Sequence, residues 1–324
     1  MMRTRLSNGT GCHRVATIFP SLTLGIFDSG VGGLSLLRRL LDVAPPPWKS
    51  VIYLADLQHF PYGPRSAEEV RRFALAGTER LAAAGAGLVA IACHTASSSG
   101  VREGLVRTSV PVVDIIGPGS RLVSELAARH APGRIIVLGT EGTVRRRVWE
   151  RALRQAGYRG PITGWACPYL ASIIEEGRNG HILRRAVLAA TDGLRRGRGS
   201  AQANPDIVVL GCTHYPFAAR TIEEVLRTEV LGRPVRVVDP AEALAADLVA
   251  RARALEGMAG PSGEGTRVVE RSGGLPVEVR FLTTGRASYL AERAGQLLAD
   301  VDKTGPYRLR LDEVQEVTFP DSPV

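Results

Sequence analysis

Lysine is nearly missing from this 324-residue chain. Only Lys49 and Lys303 occur, so almost all of the positive charge is arginine. Imine chemistry needs a lysine amine at the substrate. Here Lys49 adjoins the turn Pro45-Pro46-Pro47 and Lys303 lies near the C terminus, neither at the end of an apolar run. That argues against pyridoxal, the usual means of acidifying an amino acid's α-carbon. Cysteine is also scarce: Cys12, Cys93, Cys167 and Cys212 are widely spaced, with no CxxC pair and no Cys/His cluster, so no structural metal is expected. No segment approaches the ~20 apolar residues of a membrane span, and Met1–Phe19 lacks the apolar core of a signal peptide. A cytoplasmic protein with reduced thiols is the expectation.

What is present is globular in composition, with 44% hydrophobic, 23% charged and 5% aromatic residues. The length predicts two domains. A formal charge of +9 permits acidic partners without selecting one.

From Leu22 onward short apolar runs alternate with segments of helical spacing. The predicted strands are Leu22–Phe27, Val51–Ala55, Leu88–Ala92, Val112–Ile115, Arg134–Leu138, Ile162–Trp165, Asp206–Leu210, Val235–Val238 and Val277–Leu282. Helical periodicity marks, among others, Thr95–Val106, Val144–Ala156, Phe217–Leu226 and Ala241–Ala254. Continuous apolar strands alternating with helices predict α/β architecture with parallel sheets covered on both faces. The glycine-rich run Glu256–Arg280 reads as a surface excursion.

In such sheets ligands bind at the carboxyl ends of strands. The first strand ends in Asp28-Ser29-Gly30-Val31-Gly32-Gly33, a tight turn with backbone N–H groups at a helix start. It is neither a GxGxxG fingerprint nor a P-loop. Two further strands end alike, Ala92-Cys93-His94-Thr95 and Gly211-Cys212-Thr213-His214, each delivering a cysteine with hydroxyl and imidazole neighbours at a helix start, where a thiolate is stabilised. Two thiols facing one substrate can remove a carbon-bound proton from one side and return one from the other, inverting a stereocentre.

These segments, with Tyr53-Leu54-Ala55-Asp56, Pro61-Tyr62-Gly63, Gly139-Thr140, Gly142-Thr143, Cys167-Pro168, Glu175-Glu176-Gly177 and Thr283-Thr284-Gly285, occur in an order that resembles the glutamate racemases of the aspartate/glutamate racemase superfamily. The likeness runs from about Leu24 to Asp302. It implies Cys93 and Cys212 as the two bases, Asp28 assisting the first, and His214 with Glu175 assisting the second. It implies that Asp28, Ser29, Tyr62, Gly63, His94, Thr95, Thr140, Thr143, Thr213 and His214 line the substrate. The implied fold is two similar facing domains, each a mainly parallel sheet flanked by helices, with the site between them. Residues 24–120 with 241–302 would form one domain and 121–240 the other. A flexible extension (1–23) and a C-terminal tail (303–324) would lie outside them. The implied reaction supplies D-glutamate for peptidoglycan without cofactor or metal, and a homodimer is expected.

One position departs from the family. Its Cys-Asn-Thr is Cys93-His94-Thr95 here, and a neutral imidazole offers one donor and one acceptor on a larger ring. His94 is expected to alter efficiency or substrate choice, or to lower the pKa of Cys93. A racemase of aspartate or another amino acid is therefore one alternative. A nucleic-acid or DNA gyrase-binding regulator on the same scaffold is another, which no motif supports. Arg65 and Arg145-Arg146-Arg147 read as solvated, Cys167 as a packed strand end, and His59 and His181 as surface or loop residues.

Overall fold

The structure, a computed structural model, describes residues 22–101, 110–129, 133–197, 205–259, 276–299 and 306–319. The predicted extension up to residue 21, Cys12 and most of the glycine-rich run (260–275) lie outside the described residues.

Two parallel sheets organise the chain. The first has the order β10-β9-β2-β1-β3-β4, with β11 on β9; the second has the order β6-β5-β7-β8. The strands are β1 (Thr23–Asp28), β2 (Ser50–Ala55), β3 (Leu88–Ile91), β4 (Val112–Asp114), β5 (Arg134–Gly139), β6 (Ile162–Ala166), β7 (Pro205–Gly211), β8 (Arg236–Val238), β9 (Val277–Thr283), β10 (Tyr307–Leu309) and β11 (Gln315–Glu316). The chain leaves the first sheet through helix Ile116–Arg129, builds the second, and returns through helix Ala241–Ala259; the two connecting helices pack on each other.

β1 is buried along its whole length because both faces of its sheet are covered. Successive side chains of a strand point to opposite faces. Accordingly, Leu24 and Ile26 join a cluster with Leu36, Leu37, Leu244 and Leu248, while Phe27 joins Phe73 and Leu81 of helix Ala67–Ala83 on the other face. That helix starts on a reciprocal cap, with Ser66 and Glu69 each accepting the other's backbone N–H at 3.1 Å. The first cluster continues into the second sheet through Trp149, Leu153, Ile135 and Val209.

The expected helix Thr95–Val106 is met only by the short helix His94–Ser97, which closes ahead of Gly100 at a left-handed φ of 78°, residues 102–109 lying outside the described residues. Elsewhere the predicted alternation holds, with three differences. The periodic stretch Val144–Ala156 is two helices, Glu141–Arg145 and Val148–Gln155, broken where Arg147 takes a left-handed φ of 49°. No glycine or proline marks that break. The segment Phe217–Leu226 is a 3₁₀ turn, Tyr215–Ala218, then helix Ala219–Val225 and a π turn, Leu226–Val230. The third difference concerns 303–324, set apart as a tail: β10 and β11 within it pair with β9. The buried Tyr307 fixes this segment by donating its hydroxyl to the Leu40 carbonyl at 2.9 Å. A three-residue edge strand is too short to give a periodic signal. Among the described residues no helix is long and apolar enough to cross a membrane.

Candidate active site

Cys93 follows β3 and Cys212 follows β7, so the parallel strands of the two sheets deliver both thiols at their carboxyl ends. Both line one cleft of about 290 Å³, together with Ser29, Tyr62, Gly63, His94, Thr95, Thr140, Thr213 and His214. Phe60, Pro61 and Ala171 complete its wall and were not foreseen. Three expected residues stand behind the lining. Asp28 accepts from Thr213 Oγ1 at 3.1 Å, Glu175 pairs with His214, and Thr143 joins Thr95 and Thr140 in a cluster of hydroxyls 2.9–3.2 Å apart.

The two thiols have different surroundings. Cys93 Sγ donates to Ser29 Oγ at 3.4 Å and accepts from the Ala96 N–H at 3.4 Å. Burial, reinforced by the charge of Asp28, nevertheless pushes its pKa up to about 12, which favours the thiol form. The expectation that His94 would lower this pKa is not met. Burial drives the His94 pKa itself down to about 3, and a neutral ring has no charge with which to stabilise a thiolate.

Cys212 Sγ instead lies 3.7 Å from His214 Nδ1, and His214 Nε2 is 2.5 Å from Glu175 Oε2. Burial opposes charge on His214, but hydrogen bonds to Cys212 and Glu175 and the Glu175 charge outweigh it, so its pKa stands well above the usual histidine value. An imidazolium with one N–H on the carboxylate aims its other at sulfur.

The glycine-rich turn after β1 explains how Glu175 is held. The Val31 N–H donates to Glu175 Oε2 at 3.0 Å, so the anion in this turn is the protein's own carboxylate. A Cβ on Gly30 would stand 2.7 Å from that oxygen, and one on Gly32 would collide with Thr213 and His214. Glycine is required here because the second sheet's residues come this close. From the other side Arg293 Nε and the Tyr289 hydroxyl donate to the Glu175 carbonyl at 3.0 and 2.9 Å, and Arg293 Nη2 to that of Ile174 at 3.2 Å. A cation thereby satisfies the open carbonyls at the end of helix Leu170–Glu175.

Asp28 is fully buried and carries a carboxylate pKa of about 6: burial raises it, and the His214 charge and the N–H groups of Gly30 and Gly33 only partly reverse this. Because the folded value exceeds the ordinary 3.8, the fold is steadiest with Asp28 protonated and loses stability as pH rises through 6. Asp28→Asn is therefore expected to stabilise the protein by up to about 3 kcal/mol at pH 8, the gain fading as pH falls towards 4. Chemical denaturation at the two pH values measures it, and an equal gain at both would contradict the assignment.

Asp56 follows β2 and closes the motif Tyr53-Leu54-Ala55-Asp56, whose sequence alone assigns it no role. It is fully buried and accepts from the hydroxyls of Tyr62 and Thr284, both at 2.5 Å, and pairs with His59 Nδ1 at 2.8 Å. Burial and the Asp56 charge hold Tyr62 well above the usual phenol pKa, so its hydroxyl remains a donor. An acid at a strand end, the same signal that picked out Asp28, marks this residue too. His59 is thus no simple surface residue; its ring also stacks on Phe73 at 3.9 Å. Arg146 is half-buried rather than solvated, donating to the Arg65 carbonyl at 3.0 Å. Cys167 packs in the second sheet's core as expected, and His181 is exposed. Among the described residues no group of three or more His, Cys, Asp or Glu side chains could hold a metal ion.

The sequence profile described as Asp/Glu/Hydantoin racemase matches residues 25–248. A glutamate racemase of a Parafrankia species is 37% identical over 263 residues, covering 81% of this chain and 85% of its own. That of Beutenbergia cavernae is 35% identical over 308 residues, covering 92% and 97%. The crystal structure of glutamate racemase isoform RacE1 from Bacillus anthracis superposes with a TM-score of 0.71 at 28% identity, covering 93% of this chain and 99% of that one. With two facing α/β halves, a cysteine delivered from each, and relatives matched along nearly their whole length, the chain belongs to the Asp/Glu/hydantoin racemase family.

Proposed function

We propose that this protein interconverts L- and D-glutamate by a two-base thiol mechanism, supplying D-glutamate to peptidoglycan synthesis in the cytoplasm. The observation that carries the reading is the placement of Cys93 and Cys212 on one cleft from two different sheets. One sulfur, as thiolate, takes the α-hydrogen: the C–H bond breaks, an S–H bond forms, and the electron pair passes into the carboxylate as an enolate. The opposite thiol returns a proton to the other face, so the balance closes on inversion alone, without an added cofactor. His214, charged and braced by Glu175, manages the proton on the Cys212 side. On the other side the substrate ammonium supplies the positive charge that brings the high pKa of Cys93 down and that Asp28, ionised above about pH 6, balances.

Incubation with L-glutamate in D₂O tests the reading. α-Deuterium should appear together with D-glutamate, and the rate should fall as pH drops through 6. A second reading, racemisation of the shorter aspartate, rests on the bulk of the His94 ring in a small cleft. Exchange of L-aspartate with none of L-glutamate would establish that alternative and overturn the first.

A further inference from the structure

His94 opens the helix His94–Ser97 directly after Cys93, and its ring lines the cleft while remaining 2% exposed. Its Nδ1 lies 3.2 Å from the indole Nε1 of Trp149, which the helix Val148–Gln155 of the second sheet's half brings across. An indole N–H can only donate. Nδ1 is therefore the acceptor, and the hydrogen of the neutral ring sits on Nε2. The two rings stack with centroids 5.7 Å apart and 26° between their planes, which opposes the ring flip that would exchange the nitrogens. The Trp149 bond is the one hydrogen bond that the imidazole makes among the described residues. Nε2 makes no hydrogen bond among the described residues yet is not sealed from solvent, and the ring lines the cleft.

We infer that Trp149 is a positioning residue that holds His94 as its Nε2–H tautomer, giving the cleft a neutral donor for a carboxylate oxygen of the substrate. This rests on reading the cleft as the site of an acidic amino acid. Trp149 reaches the reaction only through His94. Asparagine at position 94 offers a useful contrast: its carboxamide accepts from Trp149 with one atom and donates with the other, and it has no tautomer to lose.

The test uses the full chain with ¹⁵N-labelled histidine, the His94 signals being assigned by their loss in His94→Asn. Nitrogen shifts should show Nε2 protonated and Nδ1 not, and L-glutamate should move the Nε2 resonance. In Trp149→Phe, which removes the donor and keeps an aromatic ring, Nδ1 should become protonated in part or whole. KM for glutamate should then rise roughly tenfold or more, with kcat changed less, as expected for losing a hydrogen bond to a charged group. In a His94→Asn background the same Trp149→Phe change should raise KM by no more than about threefold. An Nδ1–H ring in the parent protein, or an equal KM penalty in both backgrounds, overturns the inference. Loss of the functional reading looks different: Nε2 would still respond to glutamate while no racemisation occurs.

Discussion

Cys93→Ser and Cys212→Ser are each expected to lower racemisation of glutamate by at least about 10³-fold, the upper part of the range for removing a positioned proton-transfer group. A serine hydroxyl is far less acidic than a thiol, so neither variant can form the base on its altered face. The two losses should differ in kind. Each variant keeps one thiol, so it can still exchange the α-hydrogen of the enantiomer that presents its hydrogen to that thiol, without inverting it. The exchanging enantiomer should be opposite in the two variants. Solvent deuterium incorporation, followed separately from chirality, measures this. Full racemisation by either variant, or exchange of the same enantiomer by both, would remove the two-base assignment.

Glu175→Gln should have the next largest effect, lowering kcat roughly 10²-fold with a smaller change in KM. The hydrogen bond to Cys212, together with the hydrogen bond and charge of Glu175, keeps His214 charged against the cost of burial. An amide at 175 removes the Glu175 share of that support and shifts the imidazole towards its neutral form. The hydrogen bond from Val31 N–H to position 175 can persist to the amide oxygen, so the turn stays in place. As pH falls the variant should lose less activity than the parent, because His214 regains its proton while Asp28 is protonated in both proteins. Steady-state pH profiles of the two proteins check this difference in steepness; profiles of the same shape would argue that Glu175 only supports the fold.

Much of this site could be read from residues in a row. Cys93 and Cys212 each follow an apolar run and a small residue, a local pattern set by strand burial and the turn into a helix. Asp28 was visible for the same reason, and Asp56 carried the same signal without being assigned. The residues that escaped act across the chain. Trp149 meets His94 from 55 positions away, and Arg293 reaches Glu175 from 118 away. Nothing local distinguishes that tryptophan or that arginine from others on amphipathic helices. Glu175 itself came from the family likeness, since its surroundings in sequence show only a helix end. The glycines after β1 were legible as a tight turn, whereas the reason for Gly30 and Gly32, room for Glu175, Thr213 and His214, lies in the other half of the chain. The break at Arg147 went unseen because its left-handed backbone falls on a residue with no turn preference.

The apolar cluster that joins β1 and its helices to Trp149, Leu153 and Ile135 bears on how such a chain can be recombined. An inserted segment with its own interior could be traded between relatives as a cassette. Here one apolar cluster runs unbroken from Leu36, Leu37 and Leu244 of the host, through the connecting helices, into Ile135 and Val209 of the inserted sheet, and close-packed interiors tolerate mismatched volumes poorly. The exchangeable unit is therefore the inserted strands together with the host helices they rest on, and a chimera cut at the two connecting helices alone would carry a fault line through its middle.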